Sequence, residues 1–358
     1  MEHLFLELRM RNSMRTAFFL LFGGMVTFSA SVGQSQELHP GKVRALAQAC
    51  RADIGTLCPG TRPGGGAIAQ CLRENAKLLS SGCRTAIASV MPAAGEPARP
   101  PSMPPAETKV YRNVAYGGDV KQRMDIYVPH GAANAPVIFM VHGGAWSGGS
   151  KSSPDTVSNK VRYWLPKGFI FISVDNRLLP DADPLVQAQD VANALAAAQK
   201  RVRSLGGDPS RFVLMGHSAG AHLVMLLSAD PAMATRVGAL PWRGTVALDS
   251  AAYDVTEIMR ASHPRFYDRV FGNDPVFWRQ VSPTAQLQSA AKPMLLVCSS
   301  RRSDSCPQAG KLANKARSLG LSVGVSPVDK SHGAINEDLG KPGAYTAAVD
   351  LFIRRQIQ

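Results

Sequence analysis

Ser218 lies within Gly216-His217-Ser218-Ala219-Gly220, a G-x-S-x-G sequence. An apolar run at 211–215 precedes it, and a second apolar run of helical composition, 221–227, follows. A serine on a sharp strand-to-helix turn exposes its hydroxyl above the end of a sheet. Glycines on either side let the strand and helix backbones pass closely. Alone, the pattern also fits an ordinary glycine-rich turn. Its meaning rests on whether a base, an acid and amide donors lie elsewhere in the chain.

An activated serine needs a histidine to take its proton and a carboxylate to orient that histidine. Of eight histidines, His3 and His39 lie far upstream, and His130 and His263 fall in loops without fitting neighbours. His332, in Asp329-Lys330-Ser331-His332-Gly333, follows the last strand-like run and precedes the final helical one. It is the expected base. The acid is expected just after the penultimate strand-like run, where Asp304 stands. Asp329 is the rival, but it shares the histidine's own loop and would point away. Cys298 and Cys306 bracket Asp304, so a disulfide between them would pin the acid's loop.

A third group, His142-Gly143-Gly144-Ala145-Trp146, ends the apolar run 136–141. Its glycines would let backbone amides turn towards a developing oxyanion, with the amide of Ala219 as a further donor. Gly143, Gly144 and Ala145 are the loop candidates, Gly144 and Ala145 foremost. His142 is expected to brace this loop, and His222 to lie in the core. Trp146 and His217, with Trp242 and Phe266, are expected to line a substrate pocket. Acyl transfer by such a set requires neither a metal nor an organic cofactor.

These residues need a sheet whose strand ends meet. From 110 onward, short apolar runs alternate with helical segments, the pattern of an α/β domain with a mostly parallel sheet. Segments 110–116 and 122–128 read as an initial antiparallel pair. The runs 136–141, 169–174, 212–215, 245–248, 294–297 and 322–327 have the composition of buried parallel strands. Helices are expected near 155–164, 184–202, 219–228, 308–318 and 344–355. The stretch 253–288, with its aromatics and prolines, reads as a cap over the strand ends.

Taken together, 110–358 resembles the hormone-sensitive-lipase-like branch of the α/β-hydrolases, especially bacterial esterases with an H-G-G-x-W loop. His142–Trp146 matches that loop and Gly216–Gly220 the nucleophile turn. Asp175-Asn176-Arg177-Leu178-Leu179-Pro180 resembles the family's D-Y-R-L-x-P, with Asn176 in place of the tyrosine. Asp190 matches the acidic position that braces this segment, and Phe271-Gly272-Asn273-Asp274 with Ser282-Pro283 resembles a cap-side pattern. The resemblance implies an α/β-hydrolase fold and a serine hydrolase cleaving carboxylic esters through an acyl-enzyme. The residues around Ser218 also resemble kynurenine formamidases, an amide-cleaving alternative. A non-catalytic binding protein on the same scaffold is the reading from another class, against which all three triad candidates stand.

Upstream, 1–36 has the order of an export signal: Arg9, Arg11 and Arg15, an apolar stretch at 17–28, then small residues with cleavage near 31–36. Export agrees with an even count of six cysteines, read as disulfides. Cys50, Cys58, Cys71 and Cys83 lack the close pairs of a zinc knuckle, so 37–90 reads as a small disulfide-stapled helical module with three possible pairings. It resembles the cysteine-rich repeat of Golgi apparatus glycoproteins, which implies a structural or interaction role. Residues 91–108, rich in proline, read as an extended linker, and 109–358 as the catalytic domain. The formal charge of +14 comes from scattered Lys and Arg without a basic run, which argues against nucleic acid and fits contact with an envelope or acidic polymer.

Overall fold

The computed structural model describes residues 108–358 throughout and, upstream, residues 48–58, 68, 71–72, 75 and 78–90. The expected export signal, the Gly-rich loop at 60–66 and nearly all of the proline-rich linker lie outside the described residues. The chain divides into two units, the second starting at Arg99.

In the N-terminal unit, Cys50–Cys83 joins α1 (Arg51–Leu57) to α2 (Ser81–Val90), and Cys58–Cys71 ties the end of α1 to the segment between them, nested within the first bridge. Of the three pairings open to the sequence, this one encloses one loop within the other. The Asp53 carboxylate accepts the Ser80 amide and the Ser80 hydroxyl, each at 2.7 Å, and so ties α1 to the start of α2. Cys50, Cys58, Cys83, Leu72 and Leu79 form a small buried cluster. So few apolar side chains bury little surface, and each bridge contributes on the order of 2–4 kcal/mol.

The second unit is built on an eight-stranded sheet of order β1-β2-β4-β3-β5-β6-β7-β8. Its strands are β1 (Lys109–Ala115), β2 (Arg123–Val128), β3 (Ala135–Val141), β4 (Ile170–Val174), β5 (Gly207–His217), β6 (Gly244–Leu248), β7 (Met294–Ser299) and β8 (Val323–Val328). β2 pairs antiparallel with both β1 and β4, and every later pairing is parallel. The central strands are apolar at successive positions because both faces are covered. Val137, Phe139 and Val141 of β3 join one core, whereas Ile138 and Met140 join the other.

Helices α3 (Pro154–Trp164) and α11 (Ala344–Ile357) contribute to the second of these cores, while α4 (Pro184–Val202) and α5 (Ala219–Ala229) contribute to the first. The stretch after β6 holds four short helices: α6 (Val255–Arg260), α7 (Phe266–Phe271), α8 (Pro275–Gln280) and a single turn at Pro283–Gln286. α9 (Ser305–Ser318) follows β7. α10 (His332–Asp338) follows β8 and was not anticipated as a helix. Among the described residues no helix is long and apolar enough to cross a membrane.

Parallel strands bring their carboxyl ends to one edge. Ser218 follows β5, Asp249 follows β6, residues 300–304 link β7 to α9, and His332 follows β8. Register holds them level: Gly216 pairs with Ala247 and His217 with Leu248, and the Ser218 amide donates to Leu248 O at 2.9 Å.

Candidate active site

Ser218 caps α5 in a left-handed conformation, with φ 55° and ψ −116°. Such strain in a non-glycine residue costs roughly 1–3 kcal/mol and persists only where the surroundings enforce it. Here the surroundings are backbone. A Cβ on Gly216 would lie 2.3 Å from Gly220 O, and one on Gly220 would lie 2.3 Å from both Val141 O and His142 O. The two glycines therefore let α5 lie against β5 and the end of β3.

His332 Nε2 is 2.9 Å from Ser218 Oγ. His332 Nδ1 is 2.6 Å from Oδ2 of Asp249, not of Asp304. With Nδ1–H donating to that carboxylate, Nε2 is left as the acceptor for the serine hydroxyl. Asp249 is fully buried, directly after β6. Its Oδ1 accepts the Ser299 amide at 2.7 Å and the Ser305 hydroxyl, and Arg302 Nη1 donates to its Oδ2 at 3.0 Å. Burial alone would raise this carboxyl. The hydrogen bonds from His332, Ser305 and the Ser299 amide, with the Arg302 charge, instead hold it well below the ordinary carboxylate range.

The expectation that Asp304 orients His332 is therefore corrected. Asp304 sits at the N-terminus of α9, its side chain 48% exposed, and its Oδ2 accepts Arg302 Nη2 at 2.9 Å. β6 adjoins β5, so Asp249 and Ser218 leave neighbouring strand ends, and His332 reaches across from the end of β8 to touch both. The sequence did carry a signal, since Asp249 immediately follows the buried run at 245–248. The bridge Cys298–Cys306 is present. It closes the segment that holds Ser299, Arg302 and Ser305, so it pins the donors to Asp249 and not the acid itself.

In the H-G-G-x-W loop, a Cβ on Gly143 would lie 3.0 Å from Ser218 Cβ, which puts this residue against Ser218. Gly144 has φ 129°, and Ala145 and Trp146 follow at 51° and 57°, a left-handed run that turns the chain sharply. Ala219 is the first residue of α5, so its amide has no acceptor within the helix. His142 braces the loop, with Nδ1 2.7 Å from Gly143 O and Nε2 3.4 Å from Asp175. Asp190, fully buried, takes the Arg177 amide and guanidinium and so holds the segment that begins at Asp175.

The aromatic and histidine candidates for a pocket are placed otherwise. Trp146 is 4% exposed, in edge contact with His222 and Phe271, and its indole N–H donates to His222 Nδ1 at 3.1 Å. His222, as expected, is a core residue. Its Nε2–H donates to Val281 O at 2.7 Å, and burial pushes its pKa down to about 4. Trp242 is also buried, its indole N–H on Thr245 Oγ1. Packing against Tyr267 and Phe271 of the cap uses Trp146, whereas Trp242 packs at the amino end of β6. Phe266 is half-buried against Tyr267.

The His217 ring lies 4.6 Å from the His332 ring, tilted by 37°, and its Nε2–H donates to the His332 carbonyl at 3.0 Å. Burial, with His332 beside it, drives its pKa down to about 3, so the ring is neutral. It packs beside His332 and lines none of the described cavities. A cavity of about 260 Å³ lies beside the acid loop, lined by Ala251, Ile258, His263, Tyr267, Asp304 and Lys311 among others.

Comparison with known proteins agrees with this architecture. The BD-FAE family model matches residues 124–307, and that of a cysteine-rich repeat matches residues 36–80. Over 116 residues the chain is 32% identical to a probable isoprenylcysteine alpha-carbonyl methylesterase of Oryza sativa subsp. japonica, covering 32% of this chain and 27% of that protein. It is 30% identical to the probable carboxylic ester hydrolase LipM of Mycobacterium tuberculosis, covering 51% of this chain and 45% of that protein. The chain spans half or less of the length of these relatives. The carboxylesterase EstE1, cloned from a metagenomic library, shares the fold at TM-score 0.58 and 23% identity, covering 72% of this chain and 92% of that one.

Proposed function

The chain belongs to the BD-FAE family, and we propose that it is an exported serine hydrolase that cleaves carboxylic esters through Ser218, His332 and Asp249. The observation that carries the proposal is the hydrogen-bonded series from Ser218 Oγ through His332, at 2.9 and 2.6 Å, to a buried Asp249. It is mounted on a strained turn at the carboxyl ends of parallel strands.

In the proposed reaction, Ser218 Oγ attacks the acyl carbonyl while His332 Nε2 takes its proton. Asp249 holds the imidazole by Nδ1–H and stabilises the imidazolium as it forms. The amides of Ala219 and of the Gly143–Gly144 loop receive the oxyanion, each donor typically worth about 10²–10³ in rate. His332 then protonates the leaving alcohol, and water, activated by the same nitrogen, releases the acid from the acyl-enzyme. The cavity beside Tyr267 and Asp304 is proposed to receive part of the ester.

Three disulfides support export, since such bridges persist in oxidising compartments. The N-terminal unit is proposed to contact an envelope or acidic polymer in keeping with the excess of basic residues. Turnover of p-nitrophenyl acetate tests the catalytic reading. Ser218→Ala should fold as the wild type and lose turnover to background. Retained activity would sink the assignment.

A further inference from the structure

One charged pair beside the triad has no part in the reaction as described. Arg302 lies between β7 and α9, within the loop closed by Cys298–Cys306. Its Nη1 is 3.0 Å from Asp249 Oδ2 and 3.0 Å from His332 Nδ1, and its Nη2 donates to Asp304 Oδ2 at 2.9 Å. The guanidinium is 27% exposed and its partner Asp304 48%.

Asp249 with Arg302 alone is a neutral pair, and a guanidinium 3.0 Å from the imidazole opposes the positive charge that the ring acquires during the reaction. Asp304 makes the cluster net negative again. Of the other titratable groups, the phenols of Tyr253 and Tyr267 face Asp249, Arg302 and Asp304, and burial pushes both up, so they stay un-ionised. His217 is neutral, and Lys160 on α3 is bonded to the Asn336 carbonyl of α10. Lys330 pairs with Asp338, and Arg301 with Asp329. The phenol of Tyr345 on α11 donates to Ile335 O.

We propose that Arg302 and Asp304 are positioning residues that act as a unit, Arg302 fixing Asp249 against His332 and Asp304 balancing its charge, so that together they set the pH range in which Ser218 is activated. The proposal rests on the serine-esterase reading. Neither residue touches the reacting atoms.

The test is the pH dependence of kcat/KM for a short-chain ester, followed in a pH-stat, in the full-length protein. Arg302→Met removes the opposing cation, so the acid limb should move up by about one pH unit. Asp304→Asn keeps an oxygen to accept Nη2 but removes the balancing charge, so the limb should move down by roughly half a unit. Arg302→Lys should keep the limb near that of the wild type.

Opposite shifts in the Met and Asn variants support the pair, since loss of a merely structural contact has no reason to move the limb in two directions. Limbs that stay put, or that move together, overturn it, as does a Lys variant that follows the Met variant. If Arg302→Met does not fold, Asp304→Asn decides alone: a downward shift supports the pair and an unmoved limb refutes it. Ser218→Ala separates the two levels. Activity surviving in that variant refutes the serine reading, whereas an inactive Ser218→Ala with unmoved limbs refutes the pair only.

Discussion

Replacing Asp249 by Asn should reduce kcat by about 10⁴, equivalent to about 5 kcal/mol of transition-state stabilisation. The carboxamide would keep the shape of the carboxylate, and its oxygen could still accept from the Ser299 amide and the Ser305 hydroxyl. Its NH₂ group would face His332 Nδ1 with a donor. Arg302 Nη1, already 3.0 Å from Nδ1, would donate to the same nitrogen. Both favour the tautomer protonated at Nε2, which cannot accept the Ser218 proton. Asp304→Asn is the control. It removes a half-exposed ion pair, a class of interaction worth about 0–1 kcal/mol, so kcat near the pH optimum should stay within about tenfold of the wild type, any change in ester binding at the cavity Asp304 lines appearing in KM. Steady-state rates on p-nitrophenyl acetate, with circular dichroism to verify folding, separate the two. Equal losses in both variants, or the larger loss in Asp304→Asn, would refute the assignment of Asp249.

Further outcomes follow from the surroundings of the site. Replacing both Cys298 and Cys306 by Ala opens a bridge of sequence separation 8, which chain entropy values at about 2.5 kcal/mol, so thermal unfolding should begin roughly 5–10 °C lower. kcat should fall as well, because Ser299, Arg302 and Ser305 lie in the released segment; unchanged kcat would show that the bridge does not support Asp249. Lys160 is fully buried, and burial drives its pKa down to about 7, although it donates to Asp155 O, Asn336 O and Asn336 Oδ1. Between that pH and its ordinary value of 10.5 the unfolded chain binds the proton more readily than the folded one. Lys160 should therefore make stability rise with pH across this window. Lys160→Met should flatten that rise in urea titrations, and an unchanged slope would contradict the assignment.

The parts of the fold that follow from local chemistry were legible in the sequence. Apolar runs marked β3 to β7 because both faces of the sheet are covered there, whereas β8, read as a buried strand, is the half-buried edge strand; the paired glycines around Ser218 marked a turn that only small residues allow. His332 was legible because it stands alone between the last strand and the final helix. Asp249 was missed for a reason of placement. Two acids, Asp249 and Asp304, each follow a buried strand, and choosing between them requires knowing that Asp304 turns out to Arg302 while Asp249 stays buried beneath His332. Trp146 and His217 were misplaced for another reason. Residue type shows that a ring is large or polar, but whether it faces a cavity or the core depends on the cap, whose short helices leave weak periodic signals. The pairing of Cys50 with Cys83 was likewise undetermined until helix positions were known.

The central claim is that Ser218 is a nucleophile activated by His332. Reaction of the intact protein with a fluorophosphonate, followed by peptide mass mapping, measures this most directly. The account predicts one adduct, on the peptide containing Ser218, and none in Ser218→Ala. An unlabelled Ser218 in folded wild-type protein, or an adduct of equal yield elsewhere in the Ser218→Ala variant, would contradict it.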